Sequence, residues 1–202
     1  MANGRVITGY SKPWVAVYNN NAGTITYSSG QYLARGVEVQ IEPEAADSNK
    51  FYADNQVAEQ AGGGFTGGTV TLTVDGLKDA ARKLIMGLPT KTSVTVSTGT
   101  TVSMSDFGDG MSIPYVGIGF VVRYMEDGAT TYEPVILTKC QFSVFGTTAA
   151  TQEDAIEFQT EELEATIMKD DTSSHNWKRV GDAQTSEAAA EAVIQAILTA
   201  AA

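Results

Sequence analysis

Three segments within residues 115–167 are each long enough, and rich enough in β-branched and aromatic residues, to be full strands. The first is Tyr115-Val116-Gly117-Ile118-Gly119-Phe120-Val121-Val122-Arg123-Tyr124, and past the turn Asp127-Gly128 comes Val135-Ile136-Leu137-Thr138-Lys139-Cys140-Gln141-Phe142-Ser143-Val144-Phe145. They commit the chain to a mainly β fold. The third runs over 154–167, with Ile156 and Phe158 sharing a parity with Thr160, whereas Leu163, Ala165 and Ile167 have the opposite one. A continuous strand cannot change its sheet-facing side without an extra residue, so a β-bulge is predicted near Glu161-Glu162.

At 202 residues the chain fits one domain, or one domain with appended arms. With 43% hydrophobic and 18% charged residues it is globular. The 24 acidic residues outnumber 13 basic ones, a net charge of −11, which argues against a surface built to grip nucleic acid. Cys140, the single cysteine, lies inside a strand and reads as a buried free thiol. Met1-Ala2-Asn3-Gly4-Arg5 lacks the apolar core of a signal peptide, and no apolar run is long enough to span a bilayer. Synthesis in a reducing cytoplasm and no membrane partner are the expectations.

Ahead of the three strands, 6–11 reads as an extended arm and 13–18 as a first strand, with Asn19-Asn20-Asn21-Ala22-Gly23 turning into a returning strand at 24–27. Residues 33–41 alternate, with Val37, Val39 and Ile41 on one face and Gly36, Glu38 and Gln40 on the other. Pro43 ends that strand, and from 42 to 68 the periodicity is lost in a long excursion, the kind of segment that carries function in a compact domain. Val70, Leu72 and Val74 alternate with Thr69, Thr71 and Thr73. Asp75 reads as a helix N-cap, and Leu77, Ala81, Leu84, Ile85 and Leu88 predict an amphipathic helix over 76–86, stopped by Gly87 and Pro89. If Leu84 faces the core, Leu84→Ala costs roughly 2–5 kcal/mol. Residues 90–103, nearly all Thr, Ser and Val, read as a hairpin, and 104–114 as a loop. After a polar linker at 169–176, Val193, Ile194, Ile197 and Leu198 share one side of an alanine-rich helix over 186–201, too small-sided to stand alone.

Motifs with a chemical meaning lack their company. Asp106-Phe107-Gly108 matches the kinase metal-binding tripeptide, but the catalytic loop, strand lysine and glycine loop are missing. The glycine run at 62–68 leads into a strand and lacks the Lys and Ser/Thr of a phosphate loop, so it reads as a flexible loop. His175, the single histidine, stands in the polar linker beside Asp170 and Asp171, with no second histidine to build a zinc site and no nucleophile elbow to build a triad. No catalytic, metal or cofactor residue is assigned, and the chain is expected not to be an enzyme. The acidic residues Glu153, Asp154, Glu157, Glu161, Glu162, Glu164, Asp170 and Asp171 form a solvated face in a monomer, or pool into a single-signed surface if several copies assemble.

The order of features resembles the major tail (tail tube) proteins of long, flexible-tailed bacteriophages over roughly 4–180. It is carried by a strand ending in Glu42-Pro43-Glu44, the segment Phe51-Tyr52-Ala53-Asp54, Gly67-Gly68-Thr69-Val70, and Asp75-Gly76-Leu77. Val116-Gly117-Ile118-Gly119-Phe120, Val135-Ile136-Leu137-Thr138-Lys139-Cys140-Gln141-Phe142 and Glu157-Phe158-Gln159-Thr160 follow in order. The resemblance implies a β-sandwich or rolled barrel at 1–180 with one flanking helix and a long inter-subunit loop at 42–68, the alanine-rich helical extension at 181–202 departing from the pattern. It implies a virion protein, made in the host bacterial cytoplasm, whose copies form hexameric rings stacked into a tube. A tape measure protein and tail-end proteins would be its partners, and phage DNA would pass without tight binding. Phe51, Tyr52, Asp54 and Phe65 would belong to the inter-subunit loop, and Glu157, Glu161, Glu162 and Glu164 would face the lumen, where negative charge repels phosphate. Two other classes stay open: a binding module using Trp14, Tyr18 and Tyr32, and an enzyme with a proton-transfer pair among the acids. Another ring-forming tail component, such as a tail-end or baseplate protein, is a related structural option.

Overall fold

A computed structural model describes residues 4–147, 149–151 and 158–199. The chain begins with a 16-residue strand, β1 (Val6–Asn21), where an arm and a separate strand were expected. Its pairing shifts between Ser11 and Trp14, and Lys12 takes a φ of 56° there. Pro13, which has no N–H to give, is thus absorbed in a bulge instead of ending the strand. β2 (Thr24–Tyr32) returns through the two-residue turn Ala22-Gly23, both at positive φ.

β3 (Gly36–Ala45) runs on into a separate hairpin, β4 (Asn49–Ala53) and β5 (Gln56–Ala61), and β6 (Phe65–Val74) comes back along β3. The excursion at 42–68 is therefore an ordered β-ribbon. After helix α1 (Asp79–Met86), the segment over 90–103 forms the expected hairpin, β7 (Thr92–Thr95) with β8 (Thr101–Met104). β9 (Val116–Glu126) and β10 (Ala129–Phe142) are joined by Asp127-Gly128, both at positive φ, as the sequence signal required. β11 (Glu161–Met168), β12 (Lys178–Val180) and helix α2 (Glu187–Leu198) complete the chain.

Eight strands form one antiparallel sheet in the order β2-β1-β9-β10-β11-β6-β3, with β12 added along β10. It rolls on itself until Gly36 of β3 lies against the Tyr10 ring of β1, but no ladder joins those two strands. Inside the roll are Val70, Leu72, Val74, Ile118, Phe120, Leu137, Leu163 and Ile167, with Ala81, Ile85 and Met86 of α1 packed among them. The fold is mainly β with a flanking helix.

Four local expectations need correction. β11 starts at Glu161 and pairs with β6 in unbroken register to Ile167, so there is no bulge at Glu161-Glu162. The parity conflict disappears because Phe158 lies before the strand and is 94% exposed. Val37 is 56% exposed although Val39 and Ile41 turn inward, because the β3 register shifts between Gly36 and Glu38 and leaves Val37 unpaired. Helix α1 begins at Asp79 after an N-cap at Lys78, since Asp75 instead accepts the Arg35 backbone N–H and pairs with its guanidinium. Leu84 is only half-buried, and the core-facing positions are Ala81, Ile85 and Met86.

The C-terminal helix docks on its own sheet. Ala190, Ile194 and Leu198 pack on Ala16, Tyr18, Tyr27, Val121 and Ile136, outside the roll. Gly117 and Gly119 make the seat, because a Cβ at Gly119 would stand 2.5 Å from Ile194 Cγ2 and one at Gly117 would stand 3.1 Å from Leu198 Cδ2. Ser186 caps the helix by accepting the Ala189 N–H at 3.2 Å. Polar staples hold it to β1: Glu191 takes the Trp14 indole N–H at 3.0 Å and the Lys12 ammonium at 3.0 Å, and Glu187 accepts the Ser11 hydroxyl.

Candidate assembly surfaces

Along β11 the odd residues Leu163, Ala165 and Ile167 enter the core while Glu162, Glu164 and Thr166 face outward. Pairing carries that outward face across two more strands. Glu162 stands opposite Thr73 and Thr73 opposite Glu38; Glu164 opposite Thr71 and Thr71 opposite Gln40; Thr166 opposite Thr69 and Thr69 opposite Glu42. The result is a sheet face of nine positions with four glutamates and no lysine or arginine. Two inter-strand spacings place the glutamate columns roughly 10 Å apart with threonine between them. The inner wall of this ribbon is Val70, Leu72 and Val74, so alternation holds the acids on one side.

Of the acids expected to act together, Glu161 is turned away from Glu162 and Glu164. Glu162 and Glu164 lie on this face, joined by Glu38 and Glu42, which the sequence reading did not assign. Their signal was the alternation of 36–42 itself. Glu161 has the inward parity and serves α1: it accepts the Leu77 N–H at 2.8 Å and pairs with Arg82 at 2.9 Å. Glu157 lies outside the described residues.

The second surface is the hairpin of β4 and β5, on which every residue is exposed. Phe51 is 64% and Tyr52 61% exposed. Asp54 and Asn55 form its tip, both at positive φ, the backbone that short polar side chains tolerate. An Asp-Asn pair between Phe51-Tyr52-Ala53 and Gln56-Val57-Ala58 was thus a readable turn signal. Phe65 stands apart, stacked on Trp177 with ring centroids 4.4 Å apart at 7°. The hairpin of β7 and β8 also leaves apolar side chains exposed, Val94, Val96, Val102 and Met104.

Three polar regions bear on the other function classes. Trp14, Tyr18 and Tyr32 are engaged internally: Trp14 meets Tyr32 edge-on and bonds Glu191, Tyr18 donates to Asp171 at 2.8 Å, and Tyr32 lies under Lys12. Burial pushes the Tyr18 hydroxyl up to about 12, opposed by the Asp171 backbone N–H that it accepts and aided by the Asp171 carboxylate. The Lys139 ammonium and the Tyr18 hydroxyl hold the Asp171 carboxyl below its ordinary range. Asp170 is buried and organises the segment after β11, accepting the Thr172 N–H and hydroxyl and the Asn176 N–H, while His175 is exposed. Burial drives the Cys140 thiol well above its ordinary value. Among the described residues no three His, Cys, Asp or Glu side chains converge as metal ligands, and no helix is long and apolar enough to cross a membrane.

An apolar slot of about 390 Å³ opens where the first half of β1 faces β3. Tyr10 lines it, edge-on to Phe120, and its hydroxyl is buried without a hydrogen-bond partner among the described residues. Compared with known proteins, the chain matches no family model and no curated protein.

Proposed function

We propose that this chain is a structural virion protein of the tail tube kind, whose copies assemble into stacked, hexameric rings around a channel for phage DNA. The observation that carries the reading is the sheet face of Glu38, Glu42, Glu162 and Glu164, free of lysine and arginine over three adjacent strands. A channel wall of one negative sign repels phosphate and lets a duplex slide. The resemblance in motif order supports it, as do an unpaired β3 edge and exposed aromatics on a projecting hairpin, features that assembly covers. On this reading the tape measure protein and tail-end proteins are the partners within the tail, and the chemistry is repulsion and self-association without catalysis.

Negative-stain electron microscopy of the purified chain, with size-exclusion chromatography, tests it. Hollow tubes of constant diameter support a tube subunit, whereas particles that stop at one ring point to a tail-end or baseplate role. A persistent monomer at high concentration across a range of salt refutes assembly.

A further inference from the structure

We propose that the slot between β1 and β3 is the socket for the tip of the β4–β5 hairpin of a second copy of this chain, with Phe51 as the plug. The proposal rests on the self-assembly reading above and specifies which surfaces meet. The walls are Tyr10, Val39, Ile41, Phe120, Val122 and Val135. A dry cavity of ~150 Å³ already accommodates a benzene ring, so the slot admits a phenyl side chain with its neighbours.

The occupant follows from what the slot and the hairpin each lack. Phe51 and Tyr52 are large aromatics with no cover in their own chain. The slot walls Val39, Ile41 and Val122 are apolar and only partly covered in their own chain. Charge also matches. Lys50 precedes Phe51 and Glu59 pairs across from it, while Glu38 and Lys178 are the charged residues lining the slot. None of these four has an ion-pair partner among the described residues. Glu59 can meet Lys178.

Plug and socket belong to one ribbon but not to one place on it. At about 3.3 Å per residue, the ladder from Ile41 to Phe51 spans on the order of 30 Å. Ala45 pairs with Phe65 and Asn49 with Ala61, so that ladder is nearly continuous. When each copy gives its plug to one neighbour and takes one from another, the contact is head-to-tail and propagates from copy to copy until a ring closes.

Two full-length variants, Phe51→Cys and Ile41→Cys, are mixed under mild oxidation; the native Cys140 is buried and does not compete. A disulfide-linked dimer is expected, at about ten times the yield from Phe51→Cys mixed with Val102→Cys. In parallel, Glu59→Lys and Lys178→Glu, both at exposed positions, should each weaken self-association about ten-fold by sedimentation, and the double variant should restore it. Rings or tubes without cross-link or rescue overturn the socket and leave the assembly reading intact. A cross-linked dimer without rings or tubes keeps the socket and overturns that reading, and a monomer without cross-link overturns both. A small apolar molecule retained by the monomer in native mass spectrometry, with no cross-link, makes the slot a ligand site and overturns the proposal.

Discussion

Single residues decide what the charge and the glycines do. Glu161 and Glu162 are neighbours of identical chemistry, yet one ties a helix to the sheet and the other faces solvent, because strand parity separates them. Glu161→Gln should therefore lower stability by about 1 kcal/mol in urea titration, whereas Glu162→Gln and Glu164→Gln should not shift the midpoint. Gly119→Val should cost roughly 1–3 kcal/mol in the same assay through overpacking against Ile194. Gly9→Ala is the control, since the nearest atom to its added Cβ is 3.8 Å away. Asp171, held low chiefly by Lys139, adds stability that is fully present above its ordinary value of 3.8 and lost as pH falls through its depressed one. The acid limb of a stability profile should accordingly flatten in Asp171→Asn, below about pH 4 and not above it.

Among the elements, the two helices are held by different means. α1 is short and lacks a side-chain N-cap, so its place depends on the core-facing Ile85 and on the Glu161 carboxylate at its approach. Ile85→Ala should cost roughly 2–5 kcal/mol by chemical denaturation, and Leu84→Ala distinctly less, reversing the weight that helical spacing alone assigned to Leu84. α2 would be marginal in isolation, and the glycine seat on β9 with the Glu187 and Glu191 staples fixes it to β1. The hairpins of β4–β5 and β7–β8 bury almost nothing of their own, so their order comes from their turns and ladders. Such ribbons are marginal alone, which is the physical reason to expect a partner surface on the former.

For the whole molecule, a net charge of −11 counts less than where that charge sits. The unmodified chain should show no DNA binding by fluorescence anisotropy at moderate salt. Reversing Glu38, Glu42, Glu162 and Glu164 together to Lys should create binding whose logarithm falls with log salt at a slope of up to about −0.9 per phosphate contact. Loss of the wild-type repulsion without any gain of DNA binding would show that the four side chains do not act as one face.

The mainly β class, the Asp127-Gly128 hairpin, the alternation of 69–74 and the lone buried thiol were legible in the residues alone, because turn chemistry and a period of two are local properties. So were the C-terminal helix and its apolar side. The remainder depends on pairing between distant segments. Ladder register brought Glu38 and Glu42, more than a hundred residues upstream, beside Glu162 and Glu164, and parity within β11 sent Glu161 to a helix. Register also set the start of β11, which dissolved the apparent bulge, and the unpaired Val37 in β3. Rolling of the sheet opened the slot at Tyr10, and the α2 seat existed only once Gly117 and Gly119 met Ile194 and Leu198 in space. Long-range pairing carries no signature in any one segment, and for that reason Glu38 and Glu42 joined the acidic face, and the slot appeared, only in three dimensions.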